Sequence, residues 1–309
     1  MSMSTVGAFP HFTWNLWEDV LQMLQYEFMQ HALVTGTALS VLAGLVGYFV
    51  LMRHQAFAGE SLSDVAFTGA LGGAVLGINP LAGMIVLTVS AALMMASFSE
   101  RIGERDIAVG TVVAWVLGLG LLFLSLFTRH VSGTGTGISG VTVLFGSILS
   151  VSASQERAIL LIGAGILVAL LIIGRPLLFA SLDPDVAAAR GVPVRLLGLA
   201  FMALLAATVA EAVQAVGSLL VFALLMLPAA TAQRLTVRPA FGLGLAALLA
   251  VCTTWIGITI AFYSGLPSSV CISMLAVTTY ALVLGMGTRW SRLAPTGQLR
   301  RQRSGQARD

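Results

Sequence analysis

Long apolar stretches separated by short polar joints recur along the chain, at approximately 30–52, 60–78, 80–98, 106–128, 158–174, 196–213, 214–232, 240–262 and 267–287. Each holds about 17–25 residues, the number a helix rising about 1.5 Å per residue needs to cross hydrocarbon. None shows the period of two that a transmembrane barrel strand requires. Lipid offers no partner to open backbone groups, so the pattern predicts an all-α, polytopic membrane helix bundle with about 8–9 transmembrane helices. A further apolar piece, 138–150, is short for a span and begins in a glycine-rich run at 133–140. It is expected to be re-entrant or extracellular. Residues 1–29 form an amphipathic N-terminal segment, with Trp14 and Trp17 beside Glu18 and Asp19. Indole rings favour the membrane interface, although a poorly ordered leader also fits. The expected organisation is this segment, a transmembrane domain over 30–288 and a basic cytoplasmic tail over 289–309.

Composition strengthens this picture. Of 309 residues, 58% are hydrophobic and 9% charged, whereas a soluble domain is about 25% charged. Soluble enzyme classes are therefore set aside. All sixteen Lys+Arg residues are arginine. Without lysine the chain has no phosphate-binding Walker A loop and no lysine Schiff base. Any ATPase that drives it is a separate chain, and no cofactor is expected. The net charge of +3 is not a nucleic-acid signal, because six arginines fall in the last 21 residues, after the final apolar stretch. With that tail inside and nine spans, fourteen arginines lie on the cytoplasmic side and only Arg129 and Arg157 outside, a strong positive-inside bias. The N-terminus is then outside. Cys252 and Cys271 sit in apolar stretches and read as small buried hydrophobes. His11, His31, His54 and His130 are scattered without ligand spacing.

Three places carry candidate chemistry. Glu60 and Asp64 lie four residues apart, about one helical turn, on one face. Two carboxylates at a membrane edge repel unless a proton or a metal ion lies between them; simple solvation at the cytoplasmic boundary is the plain alternative. Gly69, Gly73 and Gly77 follow at the same spacing and mark close helix packing. The loop Leu182–Asp183–Pro184–Asp185 through Arg190–Gly191 reads as a complete short helix over 184–190. Asp183 caps it, Pro184 fits its first turn, Asp185 suits the positive end of its dipole and Gly191 stops it. Such a knob in the cytoplasm can dock a partner, although ordinary connectors use caps too. Glu211 and Gln214 lie where two apolar stretches meet with almost no loop, and either face water or line a cavity. Pro228 inside the next stretch kinks it.

Four stretches in order resemble the permease subunits of bacterial ABC importers for zinc, manganese and iron. They are RHQAFAGESLSDVAFTGALG at 53–72, LFGSILSVS at 144–152, LDPDVAAARGVPV at 182–194 and VGSLLVFALLMLPAATA at 216–232. The first is similar to a family stretch containing Gly-Asp-Ala-Leu-Ser-His-Ala, and the third to the family's Phe-Asp-Pro-Glu segment. The resemblance covers roughly residues 30–288. It implies a homodimeric permease in the bacterial inner membrane, a cytoplasmic ATP-binding subunit, an extracytoplasmic metal-binding protein and a coupling helix within 182–194. It also implies a metal path at Glu60 and Asp64, which match the family's Asp and His. A carboxylate thus stands where the family has histidine. The competing reading is a secondary transporter or channel in which Glu60, Asp64 and Glu211 relay protons or cations. A passive membrane anchor has no evident reason to keep such carboxylates.

Overall fold

A computed structural model of the protein describes residues 25–98, 105–131 and 148–293. Among these residues there are ten α-helices and no strand. They are α1 Glu27–Met52, α2 Ala56–Val75, α3 Pro80–Phe98, α4 Arg105–Val131, α5 Ala153–Leu182, α6 Pro184–Ala189, α7 Val194–Val216, α8 Ser218–Leu235, α9 Pro239–Ser264 and α10 Ser268–Leu293. A single 3-10 turn, Ile148–Ser150, precedes α5.

Seven helices, α1, α3, α4, α5, α7, α9 and α10, are long and apolar enough to cross a membrane. The two other long helices, α2 and α8, coincide with the remaining predicted stretches. Glu60, Asp64 and several glycines dilute the apolar character of α2, and the apolar part of α8 is Leu220–Leu235. Most of the 138–150 piece and nearly all of the N-terminal segment and the tail lie outside the described residues.

Helix ends differ from the apolar boundaries for local reasons. α5 starts at Ala153 because Ser152 accepts a bond from the Gln155 amide while the Gln155 side chain accepts one from the Ser152 amide. That reciprocal cap satisfies two amides that would otherwise be orphaned. The helix then carries Glu156, Arg157, Arg175 and Pro176 as extensions beyond the apolar 158–174. The expected break at 213/214 stands three residues later. α7 continues through Glu211 and Gln214 to Val216, and the chain reverses at Gly217, with φ 82° and ψ 158°. Only glycine adopts that region without strain.

Glycine also sets the closest helix approaches. A Cβ on Gly69 of α2 would stand 2.7 Å from the Gly83 carbonyl oxygen of α3, and one on Gly83 would stand 2.5 Å from the Gly69 oxygen. Lipid gives helices no hydrophobic reason to associate, so close backbone packing of this kind holds the pair. Along the α1–α9 seam, Ser40 and Thr254 share a hydrogen bond of 2.6 Å, and the Trp255 indole donates to Thr37 at 2.8 Å.

The two ends of the bundle are chemically distinct. At one end the Arg53 guanidinium donates to Ser181 and lies over the Phe201 ring, bringing together the ends of α1 and α5 and the start of α7. A cavity of about 490 Å³ beside it is lined by Arg53, His54, Asp106 and Arg195, among others. This is the arginine-rich end, the one the positive-inside rule assigns to the cytoplasm. At the opposite end Tyr26, just before α1, and Phe28 of α1 pack on Phe262 of α9, and His31 of α1 contacts Glu156 of α5.

Candidate functional site

α2 is almost wholly enclosed. Gly59, Ser61, Leu62, Ser63, Val65 and Ala66 are all buried, and the helix packs against α3, α4, α7 and α8. One narrow stripe escapes. Phe57, Glu60 and Asp64 are exposed, at i, i+3 and i+7 spacing, with Phe67 half-buried in line. The periodicity is that of a single helix face. Hydroxyls beside the two carboxylates are turned to the backbone instead: Ser63 donates to the Glu60 carbonyl at 2.6 Å and Thr68 to the Asp64 carbonyl at 3.3 Å. Neither neutralises a carboxylate. The pair therefore presents two adjacent negative groups on the open side of the helix that is otherwise the most enclosed. Lipid is an unacceptable environment for them, so this stripe fits a water-filled route or a partner's surface.

The short loop helix forms as its residues dictate. The Asp183 carboxylate accepts from the Val186 amide at 3.0 Å, Pro184 occupies the first turn, and α6 ends one residue short of expectation, at Ala189, with Arg190 as its cap. Gly191 has φ +80°, the left-handed conformation that closes a helix. The Arg190 guanidinium lies over the Phe179 ring of α5, 5.6 Å from its centre. Only Ala187 of α6 is buried. The rest, including Asp185 and Val186, projects from the cytoplasmic end as an exposed knob.

Glu211 belongs to neither place. It is 0% exposed, in the last two turns of α7. Its carboxylate fits into the notch left by Gly163 of α5, where an added Cβ would stand 3.0 Å from Oε1. Neither Glu211 oxygen has a well-formed hydrogen bond among the described residues, although the Gly163 backbone is a polar neighbour, and Gln214 Oε1 likewise lacks a partner there. The structure thus brings Glu60 and Asp64 together on one exposed face and separates Glu211 from them inside the bundle of a single chain.

Residue reading alone passed over the contact between His31 and Glu156. They are 125 residues apart in the chain, so no local spacing announces them. The i, i+4 pair of Glu27 and His31 was the one available signal, and its 3.9 Å separation in the structure agrees with it. Among the described residues no group of three or more His, Cys, Asp or Glu side chains is arranged to hold a metal ion. A site built from this chain alone is not present there, and the α2 pair would need ligands from elsewhere.

Comparison with known proteins agrees with this architecture. Residues 25–287 match the ABC 3 transport family. The chain is 31% identical over 263 residues to the manganese transport system membrane protein MntC of Halalkalibacterium halodurans, covering 84% of this chain and 88% of that protein. It is 29% identical to the high-affinity zinc uptake system membrane protein ZnuB of Haemophilus influenzae, covering 77% and 90%. The solved structure of PsaBC from Streptococcus pneumoniae in complex with Fab superposes with a TM-score of 0.75 at 26% identity, covering 87% of this chain and 95% of that one. The exposed knob, the enclosed α2 and the multi-span bundle are thus parts of a transport permease, and the chain belongs to the ABC 3 transport family as a multi-pass protein of the bacterial inner membrane.

Proposed function

We propose that the chain is the membrane permease of an ATP-driven importer of a divalent metal ion, and that two copies face one another across their α2 stripes. The observation that carries this reading is the exposed line Phe57–Glu60–Asp64 on an otherwise buried helix. A second copy related by a two-fold axis presents the same patch, as closed symmetric dimers do, and doubles two carboxylates to four. Four oxygen-bearing side chains around one route supply the ligands that a single chain lacks. Carboxylate oxygens suit a hard ion such as Mn²⁺ better than an imidazole-containing site does. The names of the relatives, manganese for one and zinc for another, support a divalent cargo of this class. A passing divalent cation relieves the repulsion between Glu60 and Asp64.

Energy comes from a separate cytoplasmic ATP-binding subunit, because the chain has no lysine with which to hold a triphosphate. α6 is its docking point: Asp183, Pro184, Asp185, Arg190 and Gly191 together make a rigid projection at the cytoplasmic end. An extracytoplasmic metal-binding protein delivers the ion to the other end.

The test is uptake of Mn²⁺, Zn²⁺ and Fe²⁺ into liposomes containing the permease with its ATPase and binding protein. ATP-dependent accumulation of at least one of them is expected, and uptake that follows a proton gradient without ATP overturns the reading. Docking is tested in the same liposomes with Arg190→Glu and with Gly191→Val, whose β-branched side chain resists a positive φ at a cost of about 1–2 kcal/mol. Both variants are expected to insert normally and to uncouple hydrolysis from uptake. Unchanged coupling in both removes α6 from the interface.

A further inference from the structure

Glu211 is a costly residue in its position. A buried carboxylate with no well-formed hydrogen bond among the described residues, set against Leu42 and the Gly163 backbone, loses stability that an apolar residue would keep. The α1–α5 seam leads to it. α1 and α5 both run inward from the outer end, and two contacts fix their register. His31 meets Glu156 at the outer end, and Leu42 and the Glu211 carboxylate both abut Gly163 further in. From His31 to Leu42 is eleven residues, three turns of α1; from Glu156 to Gly163 is seven, two turns of α5. Both pairs therefore stay on the same seam, and Glu211 sits about 10–16 Å inward of the His31–Glu156 contact. Between them on the same α1 face, one turn from His31, is Thr35, which is 0% exposed and whose hydroxyl oxygen also has no partner among the described residues. Gln214, one turn from Glu211 toward the outer end, presents a third such oxygen.

We propose that Glu211 is a proton-binding site within each permease chain, supplied from the outer face along the α1–α5 seam and guarded by the His31–Glu156 pair. Uptake forms an O–H bond on a Glu211 carboxylate oxygen as an O–H bond breaks on a hydronium ion at the outer end, leaving water there. The Thr35 hydroxyl can accept and donate, so it fits a place part-way along such a route. A protonated acid is uncharged and can remain in a dry, unpaired position, whereas a bare carboxylate cannot. Among the described residues no cation competes for the role. The charged side chains of α1 near the seam are Glu27 and His31, and those of α5 are Glu156 and Arg157, all at the outer end, and Arg175 toward the inner end. α3 carries no charged residue. α2 contributes Glu60 and Asp64 on its exposed stripe, α6 contributes Asp185 beyond the bundle, and α8 contributes Arg234 in its last turn. Arg195 is at the first turn of α7 itself, at the cytoplasmic end.

The experiment is infrared difference spectroscopy on the full-length permease with its ATPase in lipid nanodiscs. The wild type is expected to show the carbonyl stretch of a protonated carboxylic acid at neutral pH, and Glu211→Gln is expected to remove it. Glu211→Asp should return a shifted band, which separates loss of the acid from loss of the fold. After transfer to D₂O, the deuterium downshift of the band should change severalfold in rate in His31→Leu and Glu156→Gln, but not in Arg190→Glu at the opposite end. A wild type with no such band, or a band that survives Glu211→Gln, overturns the site. An exchange rate indifferent to His31 and Glu156 overturns the route. None of these readouts depends on the identity of the transported metal, so the result stands apart from the uptake test.

Discussion

Asp64 and Glu211 are both acidic residues in helices of one apolar bundle, and the protein treats them in opposite ways. Asp64 has a neighbour of the same sign one turn away and an open side. Among the described residues Glu211 has no charged neighbour on its seam at that depth, and its side chain is wholly buried. In water the exposed acid would be the ordinary one and the buried acid the exception. In a membrane protein exposure means lipid, a partner or a water route, and only the last two tolerate a carboxylate. On the proposed reading, exposure makes the pair a place where another molecule completes the site, while burial makes the single acid one that the chain manages alone. On the two proposals, the same residue chemistry serves an ion in one case and a proton in the other.

The contrast is broken most directly by truncating the exposed acid. Asp64→Ala should lower ATP-driven metal uptake by about a hundredfold, the loss of a charged contact of about 2.7 kcal/mol, and Glu60→Ala should do nearly as much. Size-exclusion chromatography should show the dimer intact in both. Normal uptake by both variants would mean that the stripe is a solvated helix end. Glu211→Met should have the opposite signature, a gain of about 1–3 kcal/mol seen as a higher Tm in detergent, because an apolar side chain of similar length replaces an acid without a bonding partner. A fall in Tm instead would show that the acid is satisfied by a group beyond the described residues. Gly69→Ala should cost about 1–3 kcal/mol in the same assay, since the new Cβ has backbone and no flexible side chain at 2.7 Å. It should also reduce uptake, because pushing α2 from α3 turns the stripe. Asp64→His sharpens the comparison without breaking it: preference should move from Mn²⁺ toward Zn²⁺ by about tenfold, or about 1.4 kcal/mol, as imidazole replaces an oxygen ligand. Competitive uptake of the two ions measures it.

Much of this was legible in the chain. Hydropathy located the spans, and the four-residue spacing of Glu60 and Asp64 placed them on one face. The cap of α6 could be read atom by atom, from the Asp183 carboxylate to the Gly191 backbone, because capping is a local matter. What failed to show was set by packing. Glu211 and Gln214 read as a joint between spans because polar residues usually leave the hydrocarbon, but helix geometry continued through them until a glycine allowed a turn. That α2 is enclosed on all but one stripe depends on four neighbouring helices, and no periodicity in its own sequence reveals which face they leave open. His31 and Glu156 meet only because α1 and α5 lie parallel, a fact of topology that no spacing within either helix contains.

The single residue between α7 and α8 has a mechanical consequence. With no loop to take up slack, the φ and ψ of Gly217 are the main joint between two rods of 23 and 18 residues. Sliding of one rod along the other is prohibited, and the pair can only swing about that pivot or travel as one piece. A cycle that opens first one end of the permease and then the other therefore has little play at this joint beyond the Gly217 pivot and whatever the Pro228 position in α8 allows.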